Sequence, residues 1–209
     1  MPLACSLSAA DLAALLSSRI CHDLISPVGA INNALELYDE AGAEADALDL
    51  IRMSAVNASA RLQFARIAFG ASGAAGSQLD TNDAVQIAQK YMANEKAGLV
   101  WEGEHLLLPK NEVKLLLNLL LVANATLPRG GTIHLSIDRK DGKSTFRLVC
   151  AGKMLRVPPK FAEYHSGQTP AEPVDAHSIQ AYYTLLLADM AKMPVNMSTT
   201  EADITFTAG

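Results

Sequence analysis

Residues 20–38 read Ile20-Cys21-His22-Asp23-Leu24-Ile25-Ser26-Pro27-Val28-Gly29-Ala30-Ile31-Asn32-Asn33-Ala34-Leu35-Glu36-Leu37-Tyr38. At about 100° per residue, Ile20, Leu24, Val28, Ile31, Leu35 and Tyr38 fall in one stripe roughly 80° wide. A stripe that narrow marks an amphipathic helix with a bundle seam, not a helix buried all round. Outward from it, a single helix is expected over 8–40. Ser8 is its N-cap, and Asp11 stands three residues on like a capping-box acid. Pro27 lacks an N–H and is expected to bend the helix one turn after His22. Gly42 marks a short turn. A second helix is expected over 44–69, where Ile51, Ala55, Ala58, Leu62, Ala65 and Phe69 recur at spacings of four and three. Gly70 is placed to end it as the C′ residue. Two long helices with a short connection make an antiparallel hairpin. One hairpin cannot enclose its own seam. Two can, as a four-helix bundle, so a homodimer is expected.

Residues 71–77, Ala-Ser-Gly-Ala-Ala-Gly-Ser, are small and read as a linker. They divide the chain into a helical hairpin (1–75) and a second domain (76–209). Beyond them the periodicity changes. A helix is expected over 82–95 and a strand over 99–102. A leucine-rich helix over 110–126 ends before Pro128 and Gly130-Gly131. Strands over 132–137 and 145–151 flank Asp141-Gly142, a strong hairpin signal. A loop is expected over 152–174, a helix over 176–192, and two short strands over 195–199 and 203–207. The fold class is therefore α + α/β: a dimeric helical hairpin followed by an α/β sandwich with helices on one face of a mostly antiparallel sheet.

Composition narrows the function. The chain has 209 residues, 50% hydrophobic and 19% charged, with a formal net charge of -5. It can bury a core, and it lacks the basic balance of a nonspecific nucleic-acid or anionic-membrane binder. Cys5, Cys21 and Cys150 are widely spread and form no CxxC pair, which argues against a disulfide scaffold. The N-terminal residues show no basic region followed by an apolar core, so no signal peptide is expected. The apolar run 115–125 is broken by Asn118 and Asn124 and is shorter than the roughly 20 residues of a membrane span. A cytoplasmic protein is the expectation.

His22 is the leading candidate for chemistry. It lies about 160° from the centre of the apolar stripe and so faces solvent. Ser26, Gly29, Asn33 and Glu36 continue its face along the helix. The motif His22-Asp23-Leu24-Ile25-Ser26-Pro27 resembles the phospho-acceptor box of two-component histidine kinases: a His, an acid, then a Pro five residues on. Leu120 to Ala125, followed by Pro128 and Gly130-Gly131, is similar to the asparagine box of the kinase ATP-binding domain. The resemblance implies a Bergerat-like fold for the second domain. Two departures bear on activity. Where kinases carry Asp-x-Gly to read the adenine amine, this chain has Cys150-Ala151-Gly152. Where they carry a glycine-rich segment before the last long helix, it has residues 173–180, without glycine. The resemblance thus implies no ATP binding and leaves Asn124 to helix packing or capping.

A dimeric acceptor hairpin with a degenerate kinase-like domain resembles the ChpT-type histidine phosphotransferases of cell-cycle phosphorelays. The resemblance runs over nearly the whole chain, including residues 18–23 and 62–70. It implies a phosphoryl group shuttled between receiver-domain aspartates through phosphohistidine at His22. It implies CckA as the donor receiver and CtrA and CpdR as acceptors, with Mg²⁺ on the receiver and no cofactor on this chain. Asp23 is expected to orient the imidazole or to be a solvated helix charge. Arg19 is expected to meet a receiver acid or phosphoryl oxygens, or to pair with Asp23 at i+4. Docking is expected at Ser26, Gly29, Asn33 and Glu36. His105, His134, His165 and His177 show no metal-site spacing and are expected to be structural or solvated. An ATP-dependent kinase fragment and a non-catalytic receiver-binding adaptor stay open as alternatives.

Overall fold

A computed structural model describes residues 6–40, 42–70, 78–168 and 170–209. Cys5 and the expected linker at 71–77 lie outside the described residues. The first helix, α1 (Ala9–Tyr38), is capped by Ser8, whose hydroxyl accepts the Asp11 N–H. It runs unbroken past Pro27, which with Ala34 is buried. After the turn at Gly42 (φ 90°) comes α2 (Glu44–Ala68), packed antiparallel against α1. Then follow β1 (Gln78–Asp80), α3 (Thr81–Met92), β2 (Ala97–Glu102), β3 (Leu107–Pro109) and α4 (Lys110–Ala125). The chain continues through β4 (Gly131–Lys140), β5 (Lys143–Ala151), α5 (Pro159–His165), α6 (Ile179–Ala191), β6 (Val195–Thr199) and β7 (Asp203–Ala208).

Among the described residues one sheet has the order β2-β4-β5-β7-β6, and β1 pairs with β3 beside it. Only the β2–β4 pair of the larger sheet is parallel. Asp141 (φ 52°) and Gly142 (φ 77°) form the tip between β4 and β5, as two left-handed residues in a tight hairpin should. Ile133, Leu135 and Ile137 of β4 and Phe146, Leu148 and Cys150 of β5 are buried, while their neighbours His134, Ser136 and Arg147 face solvent. One face of the sheet thus carries the core; α4 packs against β5, and α6 packs against α4 in the same hydrophobic cluster. Val113, Leu115, Leu116, Leu117, Leu119 and Leu120 are fully buried, so α4 is the central core helix.

Three local expectations need correction. The stretch 152–174 is not all loop: α5 begins with Pro159 at its first position, and Phe161 and Tyr164 turn inward one turn apart. Proline at that position is compatible with a helix start, and the proline-rich composition hid it. The last helix begins at Ile179, because residues 175–178 form a side-chain-closed turn. Gly70 does not adopt a left-handed φ; a Cβ there would run into the Arg66 carbonyl oxygen, so close backbone approach is what requires glycine.

The end of the hairpin is held by α4. Asn118 Nδ2 donates to the Ala68 carbonyl at 3.0 Å and to the Lys114 carbonyl at 2.9 Å. Lys114 Nζ reaches the Phe69 carbonyl at 3.4 Å and the Tyr183 hydroxyl at 3.3 Å. These side chains satisfy carbonyls that the last turn of α2 cannot pair itself. Phe64, Ile67 and Ala68 join the same hydrophobic cluster as α4 and the sheet. That clamp sets where α1 stands against the α/β layer.

Candidate functional site

His22 projects from the middle of α1, and its side chain is 65% exposed. The helical phase dictates this: Pro27 and Ala34 turn toward α2, on a different side of α1. Its Nδ1 lies 3.4 Å from Asp23 Oδ1. The other Asp23 oxygen, Oδ2, accepts from Arg19 Nε at 2.9 Å. Both roles anticipated for Asp23 and Arg19 within the helix therefore meet in one carboxylate. With the imidazole proton on Nδ1, the ring donates to Asp23 and leaves the Nε2 lone pair open to solvent. Ser26, Asn33 and Glu36 are exposed along the same face. Gly29 is half-buried, yet a Cβ there would meet nothing within 4 Å.

Against the imidazole stands His177, 155 residues further along the chain. The two ring centroids are 5.5 Å apart at an interplanar angle of 80°, an edge-to-face pair. His177 is exposed, but its backbone is fixed. Asp175 Oδ1 accepts from the Ser178 N–H (2.8 Å), the Ser178 hydroxyl (2.7 Å) and the His177 N–H (3.1 Å). The Ser178 hydroxyl, above all, holds the Asp175 carboxyl below the usual carboxylate range. Docking of α6 on α1 is reinforced where the Leu7 N–H donates to the Tyr182 hydroxyl at 3.2 Å.

Between the hairpin and the α/β layer a cleft of about 330 Å³ opens beside these rings, lined by Arg19, Arg61, Glu95, Asn124, Lys160 and His177 among others. Its charges are matched. Arg61 Nη2 meets Glu95 Oε1 at 2.8 Å, and Asn124 Nδ2 donates to Glu95 Oε2 at 3.0 Å. Lys160 pairs with Glu172 at 3.0 Å and Glu163 at 3.1 Å. The Arg61 guanidinium lies 5.4 Å from the centroid of the Tyr91 ring, whose phenol is pushed up to about 12 by burial and then by Glu95. Tyr91 is therefore neutral at ordinary pH. Asn124 serves as packing expects, tying α4 to Glu95 just beyond α3.

Cys150 is fully buried, and burial pushes its thiol up to about 11. In the glycine-free turn at 175–178 the His177 and Ser178 N–H groups close on the Asp175 carboxylate, and the Asp175 N–H donates to the Ser178 hydroxyl. His165 Nε2 lies 2.8 Å from the Val195 carbonyl and is structural, while His105 and His134 are exposed. Among the described residues no group of three or more His, Cys, Asp or Glu is arranged to hold a metal ion. Sequence reading missed His177, Glu95, Arg61 and Tyr91 as neighbours of the site. The quoted segment 173–180 contained His177, but nothing in its pattern points to α1.

A model of the histidine phosphotransferase C-terminal domain matches residues 81–203. The protein phosphotransferase ChpT of Brucella abortus (strain 2308) is 59% identical over 208 residues, covering 100% of both chains. A bacterial phosphotransferase of solved structure superposes with a TM-score of 0.95 at 57% identity, again over 100% of both chains. An exposed histidine on a helical hairpin, an adjoining α/β layer and these likenesses lead to one conclusion: the chain belongs to the histidine phosphotransferase family.

Proposed function

We propose that this protein relays a phosphoryl group between receiver-domain aspartates through phosphohistidine at His22, without ATP. The observation that carries the reading is the exposed His22 ring with Asp23 at its Nδ1 side. A receiver brings a phospho-aspartate and its Mg²⁺. The Nε2 lone pair forms a bond to phosphorus, the bond from phosphorus to the aspartate oxygen breaks, and its electron pair returns to the carboxylate. In the second half, an acceptor carboxylate oxygen attacks the phosphohistidine and the N–P pair returns to Nε2. Positioning and charge neutralisation do most of this work, and the metal sits on the receiver. Asp23 holds the ring tautomer. Arg19, already fixed by Asp23, offers its remaining N–H groups to the phosphoryl oxygens or to a receiver acid.

The chain works in this reading as two units, a phosphate-carrying hairpin (1–75) and an α/β unit (76–209) that widens the receiver-docking surface. Ser26, Gly29, Asn33 and Glu36 form the hairpin part of that surface. A homodimer is supported by the apolar side chains a single chain leaves in water: Ile25 (69% exposed), Val28, Leu35 and Tyr38 on α1, with Met53, Val56 and Leu62 on α2. By resemblance the donor receiver is that of CckA and the acceptors are those of CtrA and CpdR. ATP independence is supported by the buried Cys150 and the closed turn at Asp175. A cytoplasmic location is consistent with the described helices, none of which is long and apolar enough to cross a membrane.

The test is transfer of labelled phosphate from a phosphorylated receiver. Wild-type protein should acquire acid-labile, base-stable label and pass it on, whereas His22→Ala should acquire none. Label on the His22→Ala chain, or label taken directly from ATP by the wild type, would overturn the reading.

A further inference from the structure

We infer that His177 is a positioning residue for phosphoryl transfer: its ring holds the His22 imidazole in the orientation that presents Nε2. The inference rests on the phosphocarrier reading of His22. Among the described residues the His22 ring makes one polar contact on its own helix, to Asp23, and at 3.4 Å that contact is long for a hydrogen bond and a weak restraint on the ring. An imidazole that is 65% exposed otherwise samples several rotamers. His177 adds a second restraint from a segment outside α1. Its ring stands at 80° to that of His22 with centroids 5.5 Å apart, within the range preferred by edge-to-face aromatic pairs. Asp23 draws the edge of the ring that carries Nδ1 without fixing it; His177 limits the ring's rotation.

The support behind His177 is rigid where that of an ordinary surface histidine is not. Its N–H donates to Asp175, which also closes on Ser178 at the start of α6. Further back, Gln180 Nε2 donates to the Asn118 carbonyl at 3.0 Å, and Asn118 is the residue that grips the end of α2. One chain of contacts therefore runs from the hairpin end through α4 to α6 and returns to α1 at His22. At the same time His177 contributes little to the fold. It is exposed, and among the described residues its ring makes no hydrogen bond. An exposed ring on a rigid turn, in contact with the acceptor imidazole and with no packing duty, has its effect at His22.

Single-turnover transfer from a phosphorylated receiver tests this on the full chain. His177→Ala should lower the rate at saturating receiver by roughly two- to tenfold, the size reached if one edge-to-face pair acts wholly on alignment. The receiver concentration giving half-maximal rate and the melting temperature should stay at wild-type values. The ring signals of His22 in a histidine-labelled sample should shift as the neighbouring ring is lost. His177→Phe keeps the ring without its nitrogens and should restore the rate. Three results would each overturn the inference: a wild-type rate in His177→Ala, a change confined to the half-saturating concentration, or His177→Phe as slow as His177→Ala. His22→Ala runs alongside. If it still transfers phosphate, the phosphocarrier reading itself fails, whereas the ring-signal shift continues to report on the contact.

Discussion

The hairpin and the α/β layer handle their apolar residues in opposite ways. Helix α4 buries ten of its residues inside one chain. Helix α1 is almost twice as long and buries two, Pro27 and Ala34. The α/β layer buries its core in one copy because a sheet face, α4 and α6 join in one hydrophobic cluster. The hairpin presents two helix surfaces to one another and leaves a third side, with Ile25, Val28 and Leu35, in water. One region encloses its own apolar surface and the other leaves part of it open. His22 belongs to the second, and the first meets it at His177, just before α6.

The largest effect on folding should come from truncating the α/β core. Leu120→Ala should lower unfolding free energy by about 2–5 kcal/mol in denaturant titration, since Leu120 is fully buried. Leu35→Ala, at 51% exposure, should cost under about 1 kcal/mol there but raise the dimer dissociation constant in sedimentation. Equal losses in unfolding would erase the contrast between the regions. An intermediate effect is expected at the junction. Asn118→Ala strips a partner from the Ala68 carbonyl and should cost about 1–3 kcal/mol, with faster amide exchange in residues 64–69. Unchanged exchange there would mean that the α4 clamp does not hold the hairpin. The smallest effect on stability should follow Gly29→Trp, because nothing lies within 4 Å of a Cβ at this site. Receiver affinity should nevertheless fall, as read by titration calorimetry. Undiminished affinity would remove Gly29 from the docking face.

Much of this was legible in the sequence because it is local. Ser8 and Asp11 mark a helix start by chemistry confined to one turn, and Asp141-Gly142 marks a hairpin by the φ values it tolerates. The phase of His22 against the seam follows from helix geometry alone, as does the reach of Arg19 to Asp23 at i+4. Short or masked signals were lost. The three-residue strands β1 and β3 are too brief to show alternation, and the prolines before α5 read as loop although one of them starts a helix.

By itself the sequence determined the hairpin, the solvent-facing phase of His22 and the reach of Arg19 to Asp23. These depend on residue identity and on spacings of a few residues, where backbone geometry fixes who meets whom. Only the tertiary structure decided that His177 stands against His22, that Glu95 joins Arg61 to Asn124, and that Asn118 grips the end of α2. Those pairs lie between 29 and 155 positions apart, and no periodicity spans such separations. They exist because the packed core brings α2, α4 and α6 together and sets α6 against α1, which burial dictates and local pattern cannot.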